Sequence, residues 1–328
     1  KFDDGSNGPI TRNTVIDGLT ITAGENKSFL GAGGLRCAGG DSAGGDLGGC
    51  SPTLRNLVVA GNRTVEAENR ATPIGGGGMY FYLEGASNAP LVENTVFVGN
   101  ETELYGGGLA IRSASGGPAQ ARLTNVAFVN NRARSGGALN GYSSDEHLQT
   151  TLTNVTFTGN TAADGGGAMY NTGFNQGSSS TVSVTNGLLY DNQAGGANDQ
   201  VLTEGNRSTT TFTHTLVQGG DSGTATINGG TNTYLNFDGD PASFAGSSNQ
   251  TGDPAFTLPE TPAGPDGIYG TPDDGLHLQP NSPARGTGTA DSVRVSTDLT
   301  GAPRSQGGSA GNSFDPVDLG AYEGGGFT

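Results

Sequence analysis

Three aspartates lie close together in a loop rich in Gly and Pro toward the end of the chain. Asp266, Asp273 and Asp274 belong to the stretch "GPDGIYGTPDDG" at residues 264–275. Carboxylates and backbone carbonyls on a flexible loop are oxygen ligands that suit Ca²⁺, but the spacing differs from the twelve-residue EF-hand pattern. A solvated acidic turn is the simpler interpretation. Calcium at these three residues is our one cofactor expectation, and the sequence requires no cofactor.

The chain has two cysteines, Cys37 and Cys50, in the stretch "RCAGGDSAGGDLGGCS". A metal site would need more ligands than this pair, and no His lies nearby. We therefore predict a local disulfide that pins a glycine-rich loop, with two buried thiols as the alternative. A disulfide indicates an oxidising compartment.

The three histidines are candidates for a catalytic base, but His147, His214 and His277 are far apart in the sequence. A polysaccharide lyase needs a base beside carboxylates that hold Ca²⁺ or substrate. A glycoside hydrolase needs two carboxylates that flank the scissile bond. The sequence groups no such residues on one repeat. We assign no catalytic residue, and a polysaccharide-active enzyme, lyase or hydrolase, is the alternative function.

Arginines and tyrosines on neighbouring repeats suggest a third function, glycan binding without catalysis. Guanidinium groups can contact an acidic glycan, although solvated loop charges are the simpler interpretation, and tyrosine rings can stack on sugars. Long insertions often carry the binding face of a repeat protein, and "RTVEAENRATPI" (63–74) and "NGYSSDEHLQTT" (140–151) are such insertions. The side chains concerned are Arg112, Arg122, Arg132, Arg134, Tyr80, Tyr82, Tyr105 and Tyr142.

Most of the chain consists of one short pattern that recurs every 28–38 residues. Periods of this length indicate a solenoid or array, in which each repeat buries its apolar face against its neighbours. The copies are "IDGLTITAG" (16–24), "LRNLVVAGN" (54–62), "VENTVFVGN" (92–100), "LTNVAFVNN" (123–131), "LTNVTFTGN" (152–160), "VTNGLLYDN" (184–192) and a degenerate "FTHTLVQGG" (212–220).

Apolar and polar residues alternate within each copy. In "NVTFTGN", Val155 and Phe157 face one way and Thr156 and Thr158 the other, which predicts a strand with one buried face. Stacked strands would align the inward residues as columns of a thin continuous core. One column is Ile21, Val59, Phe97, Phe128, Phe157, Leu189 and Val217, and the second is Leu19, Leu57, Thr95, Val126, Val155, Gly187 and Thr215.

Glycine runs and a second short apolar strand follow most copies, as in "GGGGMYFY" and "GGGAMYN". Gly permits the tight corners that crowded coils need. Two or three short strands per period, without helical periodicity, predict an all-β fold, a right-handed parallel β-helix (β-solenoid) of about seven coils stacked at roughly 4.8 Å. A β-propeller is the weaker alternative, because each period holds too few strand signals for a four-stranded blade.

Asparagine recurs at two fixed positions of the copies. Asn tolerates the left-handed backbone of corners, and stacked amides can hydrogen-bond from coil to coil. We therefore interpret both columns as structural. The first is Asn56, Asn94, Asn125, Asn154 and Asn186, and the second is Asn62, Asn100, Asn131, Asn160 and Asn192.

The repeats end near residue 220, after which Pro becomes frequent. We divide the chain into residues 1–220, the β-helix repeats, and residues 221–328, irregular C-terminal coils and a cap packed on the solenoid. Such a cap is expected, because an open solenoid end exposes unpaired strand edges.

The repeats, of which "LTNVTFTGN…GGGAMYN" is typical, resemble those of polymorphic outer-membrane proteins. The C-terminal stretches "GDPAF", "LQPNSPARGTG", "DLTGAPR" and "DLGAYE" are similar to the end of the choice-of-anchor Q group of bacterial surface proteins. The resemblance implies a secreted right-handed β-helix displayed at the cell surface, and no settled activity. Proteins of this group usually carry more sequence before the first copy, and often continue to an anchoring or sorting element where this chain stops at "GGGFT".

Charge limits the partners, since 31 acidic against 15 basic residues give a formal net charge of −16. Nucleic acids and anionic membranes bind basic surfaces, so we expect neither nucleic-acid binding nor membrane insertion. The sequence shows no signal peptide or transmembrane run, and we interpret the start at Lys1 as that of a mature or trimmed product. The acidic composition suits a soluble protein that is secreted or displayed at the cell surface.

Our first functional hypothesis is a non-enzymatic extracellular β-solenoid with a structural or adhesive role on a bacterial cell surface. The short stretch before the first copy leaves the N-terminal edge without an evident cap. We therefore expect copies to associate end to end into a fibre or array, by a contact that need not close. Glycans are the other expected partners.

Overall fold

The computed structural model describes residues 2–3, 10–27, 31–39, 49–65, 75–84, 88–195, 200–205, 207–219, 249–290, 296–304 and 317–324. These ranges hold 21 β-strands and no α-helix. Among them, no helix has the length and apolar character needed to span a membrane. In chain order the strands are β1 (Phe2–Asp3), β2 (Val15–Asp17), β3 (Thr20–Thr22), β4 (Glu25–Asn26), β5 (Leu35–Ala38), β6 (Thr53–Ala60), β7 (Arg63–Thr64), β8 (Met79–Leu83), β9 (Leu91–Val98), β10 (Glu101–Thr102), β11 (Leu109–Ser113), β12 (Ala119–Val129), β13 (Arg132–Ser135), β14 (Leu139–Ser143), β15 (His147–Thr158), β16 (Thr161–Gly165), β17 (Met169–Gly173), β18 (Ser179–Tyr190), β19 (Gln193–Ala194), β20 (Val201–Gly205) and β21 (Thr209–Val217).

The strands form three sheets. The first sheet has the order β2-β6-β9-β12-β15-β18-β21, with β3 also paired to β6, the second β4-β7-β10-β13-β16-β19, and the third β1-β5-β8-β11-β14-β17-β20. Every pairing between these described strands is parallel. Each turn of the chain passes through the first, second and third sheet in that order.

This topology confirms the predicted all-β parallel β-helix. The coil count differs slightly from the seven expected, since about four turns form the regular part of the stack. A propeller does not fit, because its blades are sheets arranged radially around a channel rather than strands stacked coil on coil.

The core lies inside the solenoid, and the register of the first sheet aligns the predicted inward column. Phe97 pairs with Phe128, and Phe128 with Phe157. Their rings are stacked, with centroids 4.8 Å and 4.7 Å apart, close to the spacing between strands. Leu19 departs from the second predicted column, because it lies at the edge of the sheet and is 54% exposed.

The part of the first sheet that follows Asn125 and Asn154 is also buried on its outward face, so the prediction of one buried face was wrong there. Before these asparagines, Gln120 and Gln149 on the outward face are exposed. Thr156 and Leu188 point away from the core column yet are 0% and 1% exposed. The C-terminal segment, which we define as residues 251–290, 296–304 and 317–324, covers them. Its apolar residues cluster with the outward side chains of the sheet, and this cluster consists of Val96, Ala127, Val129, Leu188, Leu216, Phe256, Leu276, Leu278, Ala284, Leu299, Leu319, Ala321 and Tyr322. The predicted domain boundary at residues 220–221 lies outside the described residues.

The inner asparagine column runs through the solenoid just after the first sheet. From Asn100 onward, each Oδ1 accepts hydrogen bonds from the backbone N–H and the Nδ2 of the preceding asparagine; for Asn131 Oδ1 these come from Asn100, at 3.0 and 2.9 Å. Asn62 Oδ1 accepts from the Gly24 N–H instead. Each Nδ2 also donates to a carbonyl of the previous coil, as Asn131 does to Phe97 at 2.9 Å. The column therefore joins neighbouring coils through buried, satisfied amides. Its members, Asn62, Asn100, Asn131, Asn160 and Asn192, are at most 2% exposed.

The outer asparagine column lies within the long strands of the first sheet. Its members adopt positive φ, from 45° to 55°, which bends each strand at the same level. Each Nδ2 donates to the preceding coil, as Asn125 does to Asn94 at 3.0 Å and Asn154 to Asn125 at 3.2 Å. The members are Asn56, Asn94, Asn125, Asn154 and Asn186, and Gly18 and His214, also at positive φ, occupy the corresponding places at the two ends.

Arg304 fastens the C-terminal segment to this outer column. Its buried guanidinium donates to Asn125 Oδ1 from Nε (3.2 Å) and Nη2 (3.0 Å), to Glu323 Oε2 (3.0 Å) and to the Gly320 carbonyl (2.9 Å). Asp298 Oδ2 accepts from the backbone N–H of Glu323 at 2.8 Å. The stretches "DLTGAPR" and "DLGAYE" therefore supply the groups that close the segment on itself and on the solenoid.

Candidate functional site

The outward side chains of the third sheet form a layer that we call the Tyr/Arg face, defined by Tyr80, Tyr82, Arg112, Tyr142 and Tyr170. Tyr80 and Tyr142 are buried in this layer, whereas the other three are partly exposed. Strand alternation creates it, since residues at alternate positions of a strand point to opposite faces. In β8, Met79, Phe81 and Leu83 belong to the core cluster and the two tyrosines between them point outward. The face thus crosses four successive strands, β8, β11, β14 and β17.

The guanidinium of Arg112 lies between two tyrosine rings. Arg112 is in register with Tyr82 on one side and Tyr142 on the other. Its Cζ lies 5.3 Å from the Tyr82 ring centroid and 5.6 Å from that of Tyr142. Both distances are within the range of cation–π attraction, so consecutive coils hold the cation at a fixed position.

Acidic side chains near this face have other hydrogen-bond partners. Glu84 accepts from Ser115 Oγ at 3.1 Å, and Glu204 accepts from Tyr170 Oη at 2.9 Å. In the described part of the chain, no carboxylate oxygen comes within the 4.0 Å ion-pair limit of Arg112. Arg112 therefore presents a positive charge that the described residues do not pair.

Four polar atoms of the face and its neighbours are buried without a hydrogen-bond partner among the described residues. They are Tyr80 Oη, Arg112 Nε, Asn140 Oδ1 and Nε of Arg36, which is in register with Tyr80. An unsatisfied buried polar atom costs about 1–3 kcal/mol, so such atoms are unusual in a native structure. A bridging water or a ligand hydroxyl would satisfy them.

Burial raises the pKa of the phenols of this face. It raises the pKa of Tyr80 well above its usual range, against the opposing effect of the Arg112 guanidinium. It also raises the pKa of Tyr170, and the nearby Glu204 carboxylate acts in the same direction. Both tyrosines therefore remain neutral hydroxyl groups.

Phe174 extends the face with an exposed aromatic ring. It follows β17, is 66% exposed, and its ring centroid lies 6.0 Å from that of Tyr142. On the same side, the Tyr105 and Tyr170 rings are 5.7 Å apart. An exposed aromatic ring beside a fixed cation and hydroxyl groups suits the binding of a ligand with both apolar and polar faces, such as a sugar chain.

The three aspartates of the predicted calcium site lie in a turn of the C-terminal segment, where their oxygens accept hydrogen bonds. Asp266 Oδ1 accepts from the Ile268 N–H at 2.8 Å and Asp273 Oδ1 from Thr271 Oγ1 at 2.7 Å. Asp274 is buried, with Oδ2 accepting from the Gly270 N–H and Tyr322 Oη. No group of three or more potential metal ligands is found within the described ranges. Calcium binding stays a prediction.

A disulfide joins Cys37 on β5 to Cys50, which precedes β6. Both residues are buried in the core cluster, with Cα atoms 5.9 Å apart. The bond therefore links the third sheet of one coil to the first sheet of the next. Residues 40–48 of the intervening loop lie outside the described residues.

The structure does not bring the three histidines together. His147 is exposed on β15, with Nδ1 2.7 Å from Ser179 Oγ. His214 lies in the outer column on β21. His277 is buried in the C-terminal segment, where its ring packs edge-on against Tyr322.

The four arginines that sequence analysis grouped fall on all three sheets. Arg112 lies on β11 of the third sheet and Arg122 on β12 of the first, whereas Arg132 and Arg134 lie on β13 of the second. Only the first of these belongs to the Tyr/Arg face. Among the four arginines, sequence analysis therefore could not single out Arg112 as the one that lies between tyrosines.

The two predicted insertions have different outcomes. Residues 66–74 of the first lie outside the described residues. Most of the second, at residues 140–151, is strand, since it contains the end of β14 and the start of β15. Strands of the first sheet reach 12 residues here, so the apparent insertion extends the sheet.

Sequence analysis missed Tyr170 and Phe174 as members of the candidate site. Tyr170 occupies the outward position of "MYNTG" that Tyr80 occupies in "MYFYL". Alignment of the third-sheet strands, in addition to the first-sheet copies, would have found it. Phe174 lies just beyond a strand, outside any alternation.

Comparison of the chain with protein-family models, with curated proteins and with solved structures finds no match. The fold defines the chain as a parallel β-solenoid.

Proposed function

We propose that this protein is a non-enzymatic extracellular β-solenoid that serves as a structural and adhesive element of a bacterial cell surface. The sequence resemblance to polymorphic outer-membrane-protein repeats and to choice-of-anchor Q proteins supports the location. A disulfide, which persists in oxidising compartments, is consistent with it. Amide columns and a docked C-terminal segment give the element stiffness, because they join neighbouring coils through buried contacts.

The Tyr/Arg face is the observation that carries the adhesive role. Its rings and the fixed Arg112 cation continue over four strands of the third sheet, on the outside of the solenoid. Its partly exposed members, Tyr82, Arg112 and Tyr170, present binding groups along the stacking axis, as an extended ligand requires. We propose that it binds a glycan chain.

The test is to incubate the protein with a panel of acidic and neutral polysaccharides and to measure both retention and chain cleavage. We expect retention without new reducing or unsaturated chain ends. Phe174→Ala should weaken retention, whereas Ile268→Ala, which removes another exposed apolar side chain, should not. Accumulation of new chain ends would favour the polysaccharide-active enzyme instead.

End-to-end association of copies is a second proposal, favoured by the edge formed by β2 and β3. Val15 and Leu19 at this edge are 48% and 54% exposed, and unpaired strand edges tend to pair with other chains. Light scattering over a concentration series should show growing particles, which Leu19→Asp reduces and Ile268→Asp does not. A particle that remains monomeric at high concentration would rule this proposal out.

A further inference from the structure

We infer that the Tyr/Arg face selects anionic polysaccharides, chains that carry carboxylate or sulfate groups, and that Arg112 is the residue that pairs with the anion. The inference rests on the proposed glycan-binding function and names the class of glycan. It starts from the one cation of the face that is held between two rings.

The position of the Arg112 guanidinium suits it to bind an anion. Tyr82 and Tyr142 flank the guanidinium from adjacent coils, at 5.3 and 5.6 Å. A held guanidinium loses little further freedom on binding, and its planar fork of N–H donors matches carboxylate and sulfate oxygens in pairs. The described residues place no carboxylate within ion-pair distance of it. An anionic ligand therefore supplies the partner that the described fold does not.

The nearby carboxylates do not pair with Arg112, and each accepts a hydrogen bond from another residue. Asp145 accepts from Asn175 Nδ2 at 2.8 Å, and Glu84 and Glu204 accept from Ser115 and Tyr170. The rest of the chain carries a strong net negative charge. An anionic chain is repelled from acidic surfaces and attracted to an unpaired cation, so charge directs it to this face.

Aromatic groups around Arg112 suit a sugar as the carrier of the anion. The exposed Phe174 ring beside Tyr142 offers an apolar surface for the C–H side of a sugar ring. A simple inorganic anion would use the guanidinium alone and leave this ring unused.

The alternative is that the Tyr82–Arg112–Tyr142 stack only stabilises neighbouring coils. Cation–π contacts contribute about 0.5–2 kcal/mol each, so a stabilising role is real whether or not a ligand binds. The two roles differ in one measurable respect, because a purely structural stack gives no discrimination between charged and uncharged glycans.

The experiment measures binding of matched chains that differ only in charge: polygalacturonate against its fully methyl-esterified form, and dextran sulfate against dextran. Wild-type protein should prefer the charged member of at least one pair, and added salt should weaken that binding. The two pairs also distinguish a carboxylate from a sulfate ligand. Arg112→Gln should weaken the charged chain at least about tenfold, the loss expected for one charge-assisted contact, and leave the neutral chain unchanged.

Arg112→Lys and Arg122→Gln complete the design. Lys keeps the positive charge but lacks the planar pair of N–H donors, so Arg112→Lys should bind the charged chain more tightly than Arg112→Gln and less tightly than wild-type protein. Arg122 lies on the first sheet, so its removal takes away the same charge and should have no effect. A thermal melt of each variant shows whether it is folded. If Arg112→Gln protein does not fold, the charge preference of wild-type protein still tests the inference.

Two results separate the failure of this inference from that of the proposed function. Equal retention of charged and neutral chains by wild-type protein overturns the anionic preference while the glycan-binding function stands. Retention of no chain at all overturns both. Undiminished anion preference in folded Arg112→Gln protein overturns the assignment of Arg112.

Discussion

At the scale of single residues, side chains that recur in the sequence join neighbouring coils by hydrogen bonds. Asn131 illustrates this, since its amide group bonds the coil before it, through Asn100 and Phe97, and the coil after it, through Asn160. Sequence spacing alone predicted that such residues stack. It could not predict that the inner and outer columns differ in burial and in the direction of their amide bonds, since both depend on where the chain turns.

Replacing Asn131 with Ala should strongly destabilise the fold. The change removes the acceptor of the buried Asn100 N–H and Nδ2 and the side-chain donor to the Phe97 carbonyl. An unsatisfied buried group costs about 1–3 kcal/mol, so we expect the free energy of unfolding to fall by about 2–4 kcal/mol. Urea unfolding followed by circular dichroism measures the difference. Asn13→Ala, at an exposed asparagine, is the control, and an equal effect of the two changes would contradict the structural role of the column.

Asp274 should make stability depend on pH with a sign opposite to that of Asp273. Burial raises the pKa of Asp274, so its folded form holds a proton more tightly, and its contribution to stability is lost as pH rises through the raised pKa. A hydrogen bond from Thr271 lowers the pKa of Asp273, so its contribution is present at higher pH and lost as pH falls through the lowered pKa.

Urea unfolding at a series of pH values tests this pair. Asp274→Asn should gain stability relative to wild-type protein as pH rises above the ordinary value for Asp of about 3.9. Asp273→Asn should lose stability relative to wild-type protein as pH rises toward that same value, because the wild-type carboxylate gains its contribution over this range. Parallel curves for wild-type protein and both variants would show that neither carboxylate is perturbed.

At the scale of elements, the part of the first sheet that follows the outer asparagines is buried on both faces, and the sequence holds the signal for this. In "LTNVTFTGN" the outward positions are Thr156 and Thr158, which suggested a half-exposed strand. In the copies with Val96, Ala127 and Leu188 the same positions are apolar, so the strand reads as the continuous apolar run typical of a strand buried on both faces. What covers the outward face could not be predicted, because the C-terminal segment has no repeat that fixes its path.

Leu188 and Leu189 offer a matched test of this two-sided burial. Leu188 contacts the C-terminal segment and Leu189 the core, and both are at most 1% exposed. Each change to Ala should cost about 2–5 kcal/mol. Only Leu188→Ala should speed hydrogen exchange at residues 317–324 under native conditions. Equal exchange in both variants would show that the segment does not depend on this face.

At the scale of the whole molecule, stacking accounts for the fold and non-repeating residues account for the candidate site. The columns and the parallel stacking follow from recurring residues and their spacing, which is why they could be predicted. The Tyr/Arg face could not be assembled from sequence alone, because its residues come from four strands whose mutual register is set by the stack. Tyr80, Tyr82 and Tyr142 were recognised singly, and the cation between two of the rings became visible only in the fold.

Reduction of the disulfide should destabilise the first coils. The bond closes a loop between residues 13 apart in sequence, and closing a loop of that size is worth about 3 kcal/mol. Urea unfolding with and without a reducing agent should show a loss of this size, and Cys37→Ala/Cys50→Ala protein should be insensitive to the reductant. Unchanged stability on complete reduction would contradict it.

The most direct test of the central claim is a tyrosine-fluorescence titration with polygalacturonate, combined with analysis of the chain afterwards. The protein has no Trp, so tyrosine emission is not masked. We predict a saturable change in emission that Arg112→Gln and Phe174→Ala both weaken and Arg122→Gln does not, with the length of the polysaccharide unchanged. A polysaccharide shortened by the protein, or binding that is insensitive to changes in the Tyr/Arg face, would contradict the account.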